Sequence, residues 1–161
     1  EFNNIENIHV MRNSIQGVQK FCCNYLRNNN NDNINSISIN DRSLPDELAE
    51  TNWFTHSRLV LAAVARVVEL MHHQACSVVV HCSDGWDRTA QTVATAELLL
   101  DPYYRTIEGF LRLIDKEWIQ FGHQFALRYG HGEGTMDNYK ESQRSPIFPQ
   151  WLDILYQLII L

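Results

Sequence analysis

Residues 80–90 read VHCSDGWDRTA, with five residues separating Cys82 from Arg88. A cysteine and an arginine at this spacing suit a loop that wraps a tetrahedral anion. A helix beginning near Arg88 would present unpaired backbone N–H groups at its N-terminus. Together with the loop amides these form a cup for phosphate. Gly85 permits a turn that a β-carbon would hinder. Cys82, at the base of such a cup, is favoured as thiolate by the amides and the guanidinium, which makes it a nucleophile near neutral pH. Arg88 can grip two phosphate oxygens with its planar fork and stabilise charge in the transition state. The hydroxyl of Thr89 is placed to bond the thiolate or to assist hydrolysis of an intermediate. The chemistry this predicts is two-step phosphoryl transfer through a phosphocysteine, with no metal and no cofactor.

Such a reaction needs a general acid for the leaving oxygen. Three carboxylates compete: Asp87 and Asp84 within the loop, and Asp46 in the upstream LPDE segment. For Asp46 a place at a helix N-terminus is the simpler expectation. His72, His73, Cys76, His81 and Cys82 are residue types that bind zinc. Their distribution between a helix end and a strand end does not imply a four-ligand site. His81 is expected to orient the loop or tune the thiolate, and Trp86 to wall or cover the cup.

The elements that must hold this loop follow from periodicity. The run CSVVVH (Cys76–His81) predicts a strand buried on both faces. Thr89–Leu100 predicts a helix ended by Asp101-Pro102. Strand, loop and helix in this order predict an α/β fold, a central sheet flanked by helices with the phosphate loop between a buried strand and a helix. Ile5–Val10 is β-prone, and Met11–Arg27 has helical spacing. Glu47–Gln74 reads as one long helix, Ile107–Phe121 as an amphipathic helix, and Phe148–Leu161 as a last one. Asn28–Arg42, with its NNNNDN run, reads as a mobile surface insert, and residues 130–146 as loop. Trp53, Trp118 and Trp151 are expected in the core or at an interface.

Composition bounds the function. The 161 residues are 45% apolar and 20% charged, with a net charge of −6, which fits one globular domain. The acidic balance argues against a nucleic-acid partner. The four cysteines suit a reduced cytosolic setting. The first residues carry neither an initiator Met nor a signal-peptide pattern, so a piece of a longer protein is expected.

The segment HCSDGWDRTAQ resembles the active-site loop of the myotubularin family of phosphoinositide 3-phosphatases. NIHVMR (Asn7–Arg12), YYRTIEGF (Tyr103–Phe110), KEWIQFGHQFALRYGHG (Lys116–Gly132) and RSPIF (Arg144–Phe148) resemble family segments in the same order. The resemblance implies a partial phosphatase domain over residues 1–161. It implies removal of the D3 phosphate from phosphatidylinositol 3-phosphate and phosphatidylinositol 3,5-bisphosphate. It places the nucleophile on Cys82, the phosphate-binding arginine on Arg88 and the general acid on Asp87. It places head-group contacts on Asn7, Ile8, Asp84 and Arg128, beside the loop residues Ser83, Gly85 and Trp86. It further implies a cytoplasmic protein peripheral on endosomal or other phosphoinositide-bearing membranes. Membrane contact would come through a flanking domain outside this sequence, and homo- or hetero-oligomers are possible for the full-length protein. Gln124 departs from the family pattern, which has arginine there, and Glu108 occupies a position that is often basic. A protein tyrosine or dual-specificity phosphatase, and an inactive lipid-binding scaffold, are the alternative readings.

Overall fold

The structure is a computed structural model that describes residues 1, 3–30, 44–130 and 141–160. Its elements are α1 (Ile8–Asn30), α2 (Leu44–Glu50), α3 (Trp53–Val68), α4 (Arg88–Leu100), α5 (Ile107–Ile114), α6 (Phe125–Tyr129) and α7 (Ile147–Ile160). Two of these helices widen into π turns: α3 continues over Glu69–His73 and α5 over Asp115–Gln120. A 3₁₀ turn over Pro102–Arg105 joins α4 to α5.

Helix α4 is the axis of the assembly. It packs against α3, α5 and α7. Its buried residues, Ala90, Gln91, Thr92, Ala94, Thr95 and Ala96, are small or polar. Small side chains let three neighbours approach closely. Ala90 and Ala94 join a core with Met11, Leu113, Trp118 and Trp151. Ala96 joins a second core with Val60, Val64, Val67 and Ile154. The polar side chains of its buried residues Gln91, Thr92 and Thr95 are paired. Gln91 donates to the carbonyl of Ile147 and to Gln150 Oε1, both at 3.0 Å, and Trp151 Nε1 donates to Thr95 Oγ1 at 3.0 Å. Where α5 begins, Gly109 passes so close to the Tyr103 carbonyl that a β-carbon there would clash with it. The carbonyl and Cα involved belong to backbone, so the crossing requires glycine.

Several expectations are corrected. Among the described residues there is no strand and no sheet, so the predicted α/β architecture is overturned by a helical one. Residues 76–81 carry no regular structure. A strand exists by exchanging hydrogen bonds with a neighbouring strand, and the β-branched run finds none among the described residues. It is not buried on both faces either. Val78 and Val80 pack against the second core while Val79 is 89% exposed. Of the β-prone Ile5–Val10, residues 8–10 open α1 instead, because Asn7 caps it: Asn7 Oδ1 accepts from the amides of His9 at 2.9 Å and Val10 at 3.3 Å. The long helix predicted over 47–74 is divided at Asn52, whose φ of 58° lies in the left-handed region. The predicted insert overlaps α1 at Asn28–Asn30, and its remainder lies outside the described residues. So do residues 131–140 of the predicted 130–146 loop.

Candidate active site

The loop 82–87 delivers Cys82 to the N-terminus of α4, as its spacing requires. Gly85 has a φ of +87°, open to glycine at little cost. That turn aims the Gly85 amide back at the cysteine, whose Sγ accepts it at 3.2 Å. Burial pushes the Cys82 thiol up, but hydrogen bonds from the Thr89 hydroxyl and from the amides of Thr89, Gly85 and Asp84 outweigh it. The net direction is down, toward thiolate.

Arg88 is oriented on the same loop. Its Nη2 donates to Ser83 Oγ at 2.8 Å and its Nη1 to the Ile5 carbonyl at 3.3 Å. The latter bond brings the segment before Asn7 to the loop. A cleft of about 440 Å³ opens beside them, lined in part by Ile5, Cys82, Ser83, Arg88 and Thr89. The Cys82 thiol and the Arg88 guanidinium therefore face one space.

Asp87 and Arg128 occupy another part of the site. Asp87 is the N-cap residue of α4, yet its carboxylate does not bond the helix amides. It turns to Arg128, which donates from Nε to Oδ1 at 3.1 Å and from Nη2 to Oδ2 at 2.6 Å. The pair is buried, with 5% exposure at Arg128 and 6% at Asp87. The remaining Arg128 nitrogen, Nη1, donates to the Gln143 carbonyl at 3.0 Å. Burial raises the Asp87 carboxyl; the hydrogen bonds from His123 and Arg128, with the Arg128 charge, more than reverse this and hold it below the usual range. A carboxylate gripped at both oxygens is poised as an anion, the opposite of what a proton donor requires. Arg128 likewise has its guanidinium turned to the protein.

The other predicted residues separate. Asp84 is exposed on the loop rim, and Ser83 beside it. Trp86 is partly buried, with its indole Nε1 enclosed and unpartnered among the described residues. Asn7 acts as a helix cap, and the Ile8 carbonyl accepts Ser145 Oγ at 2.8 Å. His81 is exposed, its ring nitrogen 3.4 Å from the Cys82 carbonyl. The four cysteines are free thiols.

Sequence reasoning missed His123. Its Nδ1 lies 2.7 Å from the Trp86 carbonyl and 3.2 Å from Asp87 Oδ1. The signal available was its place in KEWIQFGHQFALRYGHG, among aromatics that do form the core around it.

The loop thus brings a thiolate-favouring cysteine, an oriented arginine and a helix N-terminus to one cleft. The whole chain, residues 1–161, matches the family model described as a myotubularin-like phosphatase domain, and the chain belongs to that family. It is 40% identical over 158 residues to a Caenorhabditis elegans protein named phosphatidylinositol-3,5-bisphosphate 3-phosphatase mtm-1. That alignment covers 98% of this chain and 24% of the relative. It is 42% identical over 157 residues to the myotubularins of Xenopus laevis and Xenopus tropicalis, covering 98% of this chain and 23% of each. The chain thus spans about a quarter of the length of these relatives.

Proposed function

We propose that this chain carries the catalytic loop of a cysteine-dependent phosphoinositide 3-phosphatase. The observation that carries the reading is the pairing of Cys82, lowered toward thiolate by loop hydrogen bonds, with Arg88 on one cleft. The name of the C. elegans relative supports phosphatidylinositol 3,5-bisphosphate as a substrate. Phosphatidylinositol 3-phosphate shares the same scissile group.

In the first step the Cys82 sulfur attacks phosphorus. An S–P bond forms, the bond from phosphorus to the D3 oxygen breaks, and that oxygen takes a proton. Arg88 and the loop amides stabilise the equatorial oxygens. In the second step water attacks phosphorus and gives a proton back to the carboxylate that served as acid, the S–P bond breaks and the thiolate returns, with inorganic phosphate released. We assign the proton to Asp84: it sits on the exposed rim, whereas Asp87 is held by Arg128. The positive field comes from arginine and amides, and the reaction is proposed to run without a metal. The working place is proposed as the cytoplasmic surface of phosphoinositide-bearing membranes.

The test is phosphate release by the purified protein from a phosphoinositide panel and from phosphotyrosine peptides. Release from the 3-phosphorylated lipids is expected, and a preference for the peptides would overturn the reading.

Gln124 sets a further expectation. It precedes α6, and its amide donates to the Gly122 carbonyl at 2.8 Å, so it offers no charge to a second phosphate. Gln124→Arg is expected to raise the preference for the bisphosphorylated lipid over the monophosphorylated one. One charge-assisted hydrogen bond is worth about 1.5–3 kcal/mol, roughly tenfold or more in the ratio of kcat/KM. An unchanged ratio would show that this position does not read the second phosphate.

A further inference from the structure

We infer that His123 is a positioning residue that locks the catalytic loop from beneath. The inference rests on the reading of Cys82 as nucleophile and goes beyond it to what holds the loop in shape. The imidazole is fully buried. Its ring stands edge-on against Trp118, at 4.9 Å and 86°, and against Phe125, at 4.7 Å and 87°. These contacts fix its plane. Its Nδ1 then meets the Trp86 carbonyl at 2.7 Å and Asp87 Oδ1 at 3.2 Å. Both are acceptors only, because a carbonyl has no hydrogen and Asp87 is held as carboxylate by Arg128. Nδ1 must therefore carry the hydrogen. Nε2 is enclosed and has no partner among the described residues.

The consequence is directional. Trp86 and Asp87 are the last two residues before α4, so a bond to the Trp86 carbonyl fixes the peptide joining them. The carbonyl is held down into the core, and the loop before it is left to turn its amides toward Cys82. His123 comes from the segment between α5 and α6, so it ties the catalytic loop to an aromatic core formed by Trp118, Phe125 and Phe148. Without the bond the loop retains its sequence but loses its register against the sulfur.

The two ring nitrogens can be told apart by substitution. The amide of asparagine can occupy the place of Nδ1, whereas glutamine reaches toward Nε2 and phenylalanine offers no donor. His123→Gln and His123→Phe are expected to lower kcat by about 10²-fold, the scale of a small misplacement of reacting groups, with KM little changed. Alkylation of Cys82 by iodoacetamide at neutral pH should slow in both, because the amides that favour the thiolate are released. His123→Asn should recover most of both rates. Equal losses in the asparagine and glutamine variants would overturn the proposal, as would unchanged alkylation in all three. Alkylation needs no substrate. If wild-type protein released no phosphate from lipid, the functional reading would fail while the role of His123 would still be decided. Should the glutamine or phenylalanine variant not fold, nitrogen-15 NMR of the wild-type imidazole decides it. A hydrogen on Nδ1 is expected, and a hydrogen on Nε2 alone would overturn the assignment.

Discussion

Cys82→Ser is expected to abolish phosphate release from 3-phosphorylated lipids while leaving the fold and head-group binding in place. The loop stabilises negative charge on the atom at position 82: the Gly85 amide donates to it at 3.2 Å, and the Thr89 hydroxyl and the Thr89 and Asp84 amides add to that field. A thiol begins near the neutral range, so a field of this kind moves a large fraction to thiolate. A serine hydroxyl ionises so much less readily that the same field leaves it protonated, and no general base stands against the sulfur among the described contacts. Arg88 keeps its bonds to Ser83 and Ile5 in the variant, so the anion cup survives. Phosphate release measured beside head-group binding separates the two effects. Retained turnover in Cys82→Ser would remove covalent catalysis from the mechanism. Loss of binding in parallel with turnover would mean that the sulfur also shapes the cup.

The local geometry of the Cys82–Thr89 loop was legible in the sequence because its information is local. Cys82, Gly85, Arg88 and Thr89 lie within eight positions, and the helix expected near Arg88 begins at Arg88. The helices over 107–114 and 147–160 were legible for a similar reason, since a strong apolar stripe marks each. What was not legible depends on partners. The run Cys76–His81 has the composition of a strand, but strand formation is a property of pairs, and composition cannot report whether a neighbour is present. The division at Asn52 was equally hidden, as a single left-handed residue breaks a helix that propensity alone would continue. The support of the site is non-local. Arg128 meets Asp87 across 41 positions, and His123 meets Trp86 across 37. Ser145 and Arg12 further bind the 141–145 segment to α1. A motif shows that these residue types occur, whereas the fold decides that Arg128 is spent on a carboxylate rather than turned to solvent.

That non-local support separates the two loop aspartates by experiment. General acid catalysis is worth about 10²–10⁴-fold, and it matters only when the leaving oxygen is poor. Asp84→Asn is therefore expected to slow lipid hydrolysis by about that factor while sparing an aryl phosphate whose leaving group needs no proton. Asp87→Asn should behave otherwise. It leaves the Arg128 guanidinium buried without its counter-charge, and breaking a buried pair from one side costs about 3–5 kcal/mol. Activity on the two substrates should fall together, following the loss of folded protein. The pH dependence gives an independent reading. The Asp87 carboxyl is lowered in the folded state, so its contribution to stability is present above the unfolded carboxylate range near about 4. That contribution is lost as pH falls through the lower folded value. Urea unfolding of the wild type should therefore weaken on the acid side of that range, and Asp87→Asn should flatten this part of the profile. A leaving-group-dependent loss in Asp87→Asn, with stability intact, would return the proton to Asp87. The pair with Arg128 would then have to open during turnover, because a carboxylate bound at both oxygens has no proton to give.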